Sequence, residues 1–176
     1  LRVAREGFVD SYGEKQEPGE MFIFNRTLDT DAGILCDCLQ ALPSPLRLHL
    51  IDLIGLDLSA QAGISLARTI GEKGFASEGL RFLCVRNNPG LGDEGIAAFC
   101  KMVPPTLEQF FVHDTGCGDV GIAALIAALP RLPNLWRLGV SANHDVREVT
   151  WCSFFRALPQ LPALQYLFAG QNPSVS

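Results

Sequence analysis

One short phrase recurs through the second half of this chain, and it limits the fold more than any other feature. Leu80-Arg-Phe-Leu-Cys-Val-Arg-Asn-Asn88 is followed by Leu107-Glu-Gln-Phe-Phe-Val112, Leu135-Trp-Arg-Leu-Gly-Val-Ser-Ala-Asn143 and Leu164-Gln-Tyr-Leu-Phe-Ala-Gly-Gln-Asn172. The starting leucines are 27, 28 and 29 residues apart. A unit this short cannot enclose its own apolar face, so it must stack on its neighbours and share one core with them. Within each phrase alternate residues such as Leu83 and Val85 point inward, which is the period of a strand. A turn with Gly and Asp follows, and then a helix. Ile122, Leu125, Ile126 and Leu129 recur at helical spacing with alanines between them. Pro130 and Pro133 end that helix, as Pro104 and Pro105 end the one before and Pro159 and Pro162 the one after.

Two less regular copies come earlier. Leu48, Ile51 and Leu53 keep the strand spacing, and Gly63-Ile64 stands as far from Leu48 as Gly95-Ile96 does from Leu80. Upstream, Phe22, Phe24 and Asp31-Ala-Gly-Ile34 read as a further copy. Units are therefore expected near 19–47, 48–79, 80–106, 107–134, 135–163 and 164–176, the last incomplete, with 1–20 a loop or the remnant of a preceding unit.

The phrase L-x-x-L-x-L-x-x-N, followed by a Gly/Asp turn and an Ala/Leu-rich helix, resembles the ribonuclease-inhibitor-like leucine-rich repeat, best in 80–103 and across roughly 21–172. The resemblance implies a curved α/β solenoid of about six units, with parallel strands on the concave side and helices on the convex side. It also implies a binding or scaffolding role without catalysis. Similar repeats occur in GTPase-activating proteins of the Ran system, an alternative that would require an exposed catalytic arginine, and none stands out. Where the repeat has Asn88, Asn143 and Asn172, other units have Leu56 and Thr115, so the turn hydrogen bonds of that asparagine are expected to break there.

Composition narrows the partner. With 14 Lys and Arg against 19 Asp and Glu, a net charge of −5 leaves no basic excess for phosphates, so nucleic acid is not expected. Hydrophobic residues make up 48% of the chain and charged residues 19%. That is too apolar for disorder, and it suggests that some surface is covered by a partner. The longest apolar stretch, 122–129, stops at Pro130, far short of a membrane span. The start at Leu1 reads as trimmed or processed, and the open ends of the array as covered by more chain or a partner. Of six cysteines, Cys84 and Cys152 fall in apolar patterns and are expected buried, and reduced thiols point to an intracellular compartment. Cys36 and Cys38 lie on opposite sides of a helix, a poor metal pair, and Asn25-Arg26-Thr27 matches a glycosylation acceptor without a secretion signal beside it.

Gly116-Cys-Gly118-Asp-Val-Gly121 satisfies G-x-G-x-x-G between a strand and a helix, the arrangement of a nucleotide-binding enzyme. Gly90-Leu-Gly92-Asp-Glu-Gly95 repeats it one unit earlier, which marks a structural turn, with Asp93 and Asp119 placed to bind free helix N–H groups. His49, His113 and His144 belong to different units, and no nucleophile or metal motif accompanies them. Neither cofactor nor metal is expected. Trp136 and Trp151 are expected to pack between units.

The residues flanking the buried pair should form columns across the strands: Met21, Leu50, Phe82, Gln109, Arg137, Tyr166; then Ile23, Asp52, Cys84, Phe111, Gly139, Phe168; then Asn25, Ile54, Arg86, His113, Ser141, Gly170. Leu50, Ile54, Phe82, Arg86, Phe111, His113, Arg137, Tyr166 and Phe168 have the composition of a protein-binding face, centred on Phe82 and Phe111.

Overall fold

A computed structural model describes residues 2–3, 20–23, 32–41, 48–72 and 79–173. The loop expected over 1–20, apart from its ends, and Asn25 lie outside the described residues. The chain alternates strand and helix as its period changes from two to 3.6. Strands β3 (Leu48–Asp52), β4 (Phe82–Cys84), β5 (Gln109–Phe111), β6 (Arg137–Gly139) and β7 (Tyr166–Phe168) run parallel in chain order. Two more strands, β1 (Arg2–Val3) and β2 (Glu20–Ile23), complete a seven-stranded sheet, with β2 parallel to β3 and β1 antiparallel to β2. Helices α1 (Ala32–Gln40), α2 (Ala60–Glu72), α3 (Gly92–Met102), α4 (Asp119–Ala128) and α5 (Glu148–Ala157) pack each against the next. Pro130 and Pro159 do not stop their helices abruptly: each sits in a 3-10 turn that carries the chain off the helix end.

The register confirms the expected columns, pairing Met21, Leu50, Phe82, Gln109, Arg137 and Tyr166 in one row and Ile23, Asp52, Cys84, Phe111, Gly139 and Phe168 in the next. Between sheet and helices lies one core to which the units from β3 to β6 contribute the same positions. Leu83, Phe110 and Leu138 come from the strands, Ile96, Ile122 and Phe154 from the helices. Trp151 is buried in this core against Phe154, whereas Trp136 is half-buried and meets Tyr166 edge to face. Cys152 departs from expectation. It is exposed, because Trp151 and Phe154 take the inward side of α5 and leave the two residues between them facing out. Cys36, Cys84, Cys100, Cys117 and Cys152 are all unpaired.

A ladder of buried side-chain amides ties the turns together. Asn88 Oδ1 accepts from the Leu56 and Leu58 amides at 3.0 and 3.1 Å, while its Nδ2 donates to the carbonyls of Leu53, Val85 and Arg86. Asn143 accepts from the Thr115 amide, and Asn172 from the Asn143 amide. The break expected at Thr115 occurs in part, since the Asn88 amide donates to the Asp114 backbone carbonyl and not to a side chain, and the unit that an asparagine at Leu56 would serve lies outside the described residues. The Leu56 N–H is served by the next unit's asparagine. The Thr115 hydroxyl, fully buried, lies within hydrogen-bonding distance of both Val112 O and Asn143 Oδ1.

The glycine motif has a structural explanation. Asp93 Oδ1 accepts from the Gly118 and Gly121 amides, both at 2.7 Å, so the first-turn carboxylate of α3 holds the N-terminus of α4. Asp119 does the same for α5 through the Arg147 amide and side chain. The aspartates thus serve the following helix rather than their own, and the N–H groups that would cradle a phosphate are taken. Gly116 has φ +64°, and a Cβ there would lie 2.2 Å from the Pro89 carbonyl oxygen of the preceding unit. Gly116→Val is expected to destabilise the fold by about 3 kcal/mol or more through that overlap and the left-handed backbone. The check is urea unfolding followed by circular dichroism. A variant as stable as the parent would contradict this packing.

Candidate functional site

The face of the sheet turned away from the helices carries the columns. Period-two alternation that sends Leu83 and Val85 toward the helices sends Phe82, Cys84 and Arg86 to the opposite side. There Leu50, Phe82, Cys84 and Phe111 form a second apolar cluster, with Ile54 and Phe168 packed against it. Phe82 and Phe111, on neighbouring strands, have centroids 5.6 Å apart, and Phe111 and Phe168 lie 6.4 Å apart across the Gly139 position of the strand between them.

The nine residues singled out from sequence therefore share one face, but they are not all open to solvent. Phe82 is 2% exposed and Phe111 0%, with Leu50 and Arg137 also buried; this corrects the expectation of an open patch centred on the two phenylalanines. Ile54, Arg86, His113 and Phe168 are half-buried, and Tyr166 is 52% exposed. The Arg137 guanidinium lies 5.4 to 5.9 Å from the ring centroids of Phe111, Trp136, Tyr166 and Phe168, a cation enclosed by aromatic rings. An alternation pattern shows which side a residue takes; it does not show that a neighbouring strand's long side chain lies across it.

Toward the carboxyl ends of the strands the face opens into a groove of about 510 Å³ lined by Arg86, Asn87, His113, Asp114, Ser141 and Phe168, among others. Four successive strand ends contribute, and four left-handed residues, Asn87, Asp114, Ala142 and Gln171, shape the turns along its rim. Nothing in the repeat phrase marked these positions beforehand, since their residue types differ from unit to unit.

His113 is the most constrained group. Its Nδ1 accepts from the Ser141 N–H at 3.0 Å, which places the proton of the neutral ring on Nε2. The ring stacks on Phe111 at 5.7 Å and 20° and meets Phe168 nearly edge-on. It occupies the space above Gly139, where a Cβ would lie 2.1 Å from Nε2, so only glycine fits this point of the middle column. Burial, and secondarily the nearby Arg86 cation, lower its pKa from 6.5 to about 4. The native ring is thus neutral where an unfolded histidine is charged, and its contribution to stability is complete above pH 6.5. That contribution falls as pH drops from 6.5 toward 4, by at most about 3 kcal/mol. His113→Asn is expected to flatten the stability profile across that window, measured by urea unfolding at several pH values. An unchanged slope would contradict the assignment.

Burial also raises the Cys100 thiol to about 12 and Cys117 to about 11, so neither is a thiolate at neutral pH. Among the described residues no group of His, Cys, Asp and Glu has the arrangement to hold a metal ion, and no helix is long and apolar enough to cross a membrane.

No protein-family model matches the chain, and no curated protein matches it in sequence. Among solved structures, a chain titled leiomodin-1 actin-binding site 2 is similar in fold, with a TM-score of 0.57. The two are 15% identical, and the match covers 69% of each chain.

Proposed function

We propose that this chain is a leucine-rich repeat solenoid of the ribonuclease-inhibitor-like class that acts without catalysis, as a protein-recognition module or a structural subunit of a larger assembly. The observation that carries this reading is the groove. Arg86, His113, Ser141 and Phe168 come from four successive units and converge on one depression, backed by the buried Phe111 ring against which His113 and Phe168 pack. A depression crossing several units suits an extended segment of a partner, and about 510 Å³ falls within the usual range for specific sites. The partner-facing residues in this reading are Arg86, His113, Phe168 and the exposed Tyr166; Phe82, Phe111 and Leu50 hold the platform beneath them, with Arg137 braced among the rings. The fold neighbour carries an actin-binding title, which is support for a protein partner and for nothing narrower. A reducing compartment belongs to the same reading, since the described thiols are free.

The test is affinity capture with quantified partner yield. Asn87→Arg combined with Gln171→Arg fills the groove mouth from exposed rim positions, whereas Val149→Arg alters the helical side. Loss of one partner at least tenfold in the first variant and not the second supports the groove. Loss only in the second moves the interface to the helices.

A further inference from the structure

On the side of the sheet turned away from the helices, the sign of the charge is opposite to that of the chain as a whole. The protein carries a net charge of −5, yet the three outward columns over β4 to β7 hold two guanidinium groups, Arg86 and Arg137, and no carboxylate. Asp52 is the nearest acid in these columns, one strand further out on β3. Arg137 is enclosed by rings and acts through its field, whereas Arg86 is half-buried in the groove lining. His113 supplies the directional group. Its Nδ1 is taken by the Ser141 N–H, so the neutral ring presents its proton at Nε2, and among the described residues no acceptor meets it. Nε2 lies over Gly139, the point of the middle column without a side chain. Burial and the Arg86 cation both favour the neutral ring, and the Asp114 carboxylate on the rim does not reverse this. An N–H donor beside a fixed cation selects an anion with lone pairs, and Phe168 offers an apolar wall next to it.

We infer that the groove receives an acidic side chain, a glutamate or aspartate in an extended segment of the partner, whose carboxylate accepts from His113 Nε2–H and faces the Arg86 guanidinium. This rests on the groove being the partner site. Residues of β4 lie on one side of His113 and residues of β6 and β7 on the other, so the segment runs past the ring in both directions and the anion is a side chain rather than a chain terminus. An apolar residue next to the acid packs on Phe168. His113 and Arg86 stand inside the sheet, between β3 and β6, and not at an edge that a further unit would complete.

The probe is a library of random linear peptides displayed on phage and selected against the full chain at neutral pH, with enriched sequences then synthesised blocked at both ends. Amide shifts of the isotope-labelled protein locate each peptide. Those that shift Asn87, His113, Ser141 and Phe168 should share a glutamate or aspartate at one fixed position, and its replacement by glutamine or asparagine should weaken binding at least tenfold. At saturation the acidic peptide should raise the His113 pKa, read from the ring carbon shifts, by about one unit or more from its free value of about 4, and the amide version should not. Arg86→Gln should weaken the acidic peptide at least tenfold; if that variant does not fold, the substitution in the peptide decides. Peptides that map to the groove without a shared acid, or that bind equally with the amide in its place, overturn this inference and leave the groove standing. Shifts confined to the helices overturn both.

Discussion

Replacing Asn88 with leucine is expected to destabilise the fold by about 4 kcal/mol, a large fraction of the roughly 5–15 kcal/mol that holds a domain together. The side chain is fully buried, accepts from two backbone amides of one unit and donates to three carbonyls, two of its own unit and one of the unit before. Leucine matches its size but leaves those backbone groups unsatisfied in a site that water does not enter, and each such group costs about 1–3 kcal/mol. Asn88→Thr should cost about half as much, because Thr115 shows how a hydroxyl serves the same position. Urea unfolding of both variants measures the difference. Equal losses would mean that volume rather than hydrogen bonding governs the site.

Phe111→Asp is expected to leave the chain largely unfolded at 25 °C. The ring has no solvent exposure and meets Phe82, His113 and Phe168 while lying under the Arg137 guanidinium. Truncating a ring so enclosed costs about 3–5 kcal/mol, and burying a carboxylate in its place adds to that. The nearby Arg137 cation does not offset this, since its position depends on the rings it touches. Phe111→Leu should cost only about 1–2 kcal/mol and keep the cooperative transition. Circular dichroism at 25 °C and a thermal melt distinguish the outcomes; a folded Phe111→Asp chain with a near-parental midpoint would show that the second cluster is dispensable. Substitutions at Phe82 or Phe111 are consequently poor probes of binding, because they remove the platform along with any surface it presents.

Much of this fold was legible because repetition supplies several views of one pattern. The phrase beginning at Leu80 fixed the strand positions, the alternation of Leu83 and Val85 fixed their inward side, and the intervals set the columns later seen in register. Contacts that join one unit to the next were less legible. Asp93 is close to its own helix in sequence, yet its carboxylate holds the helix 25 residues away. Thr115 breaks the sequence phrase and keeps only part of the bonding: its hydroxyl lies within reach of Val112 O as the Asn88 side chain does of Val85 O, while the Asn88 amide turns to the Asp114 backbone carbonyl. The columns were read correctly and their exposure was not. Whether an outward-facing ring is open depends on whether a long side chain lies across it, as Arg137 from the adjacent strand and His113 from the same strand's end do at Phe111. Gly139 held the one local hint, a missing side chain in the middle column, and the His113 ring fills that space.

The central claim is that a protein partner occupies the groove at the carboxyl ends of the strands. Site-specific photo-crosslinking tests it most directly, with a benzophenone side chain placed at exposed Asn87 on the groove rim or at exposed Phe155 on α5. A discrete adduct formed from Asn87 and absent from Phe155 is the expected result. A discrete adduct from Phe155 alone would contradict the claim and place the partner on the helical side.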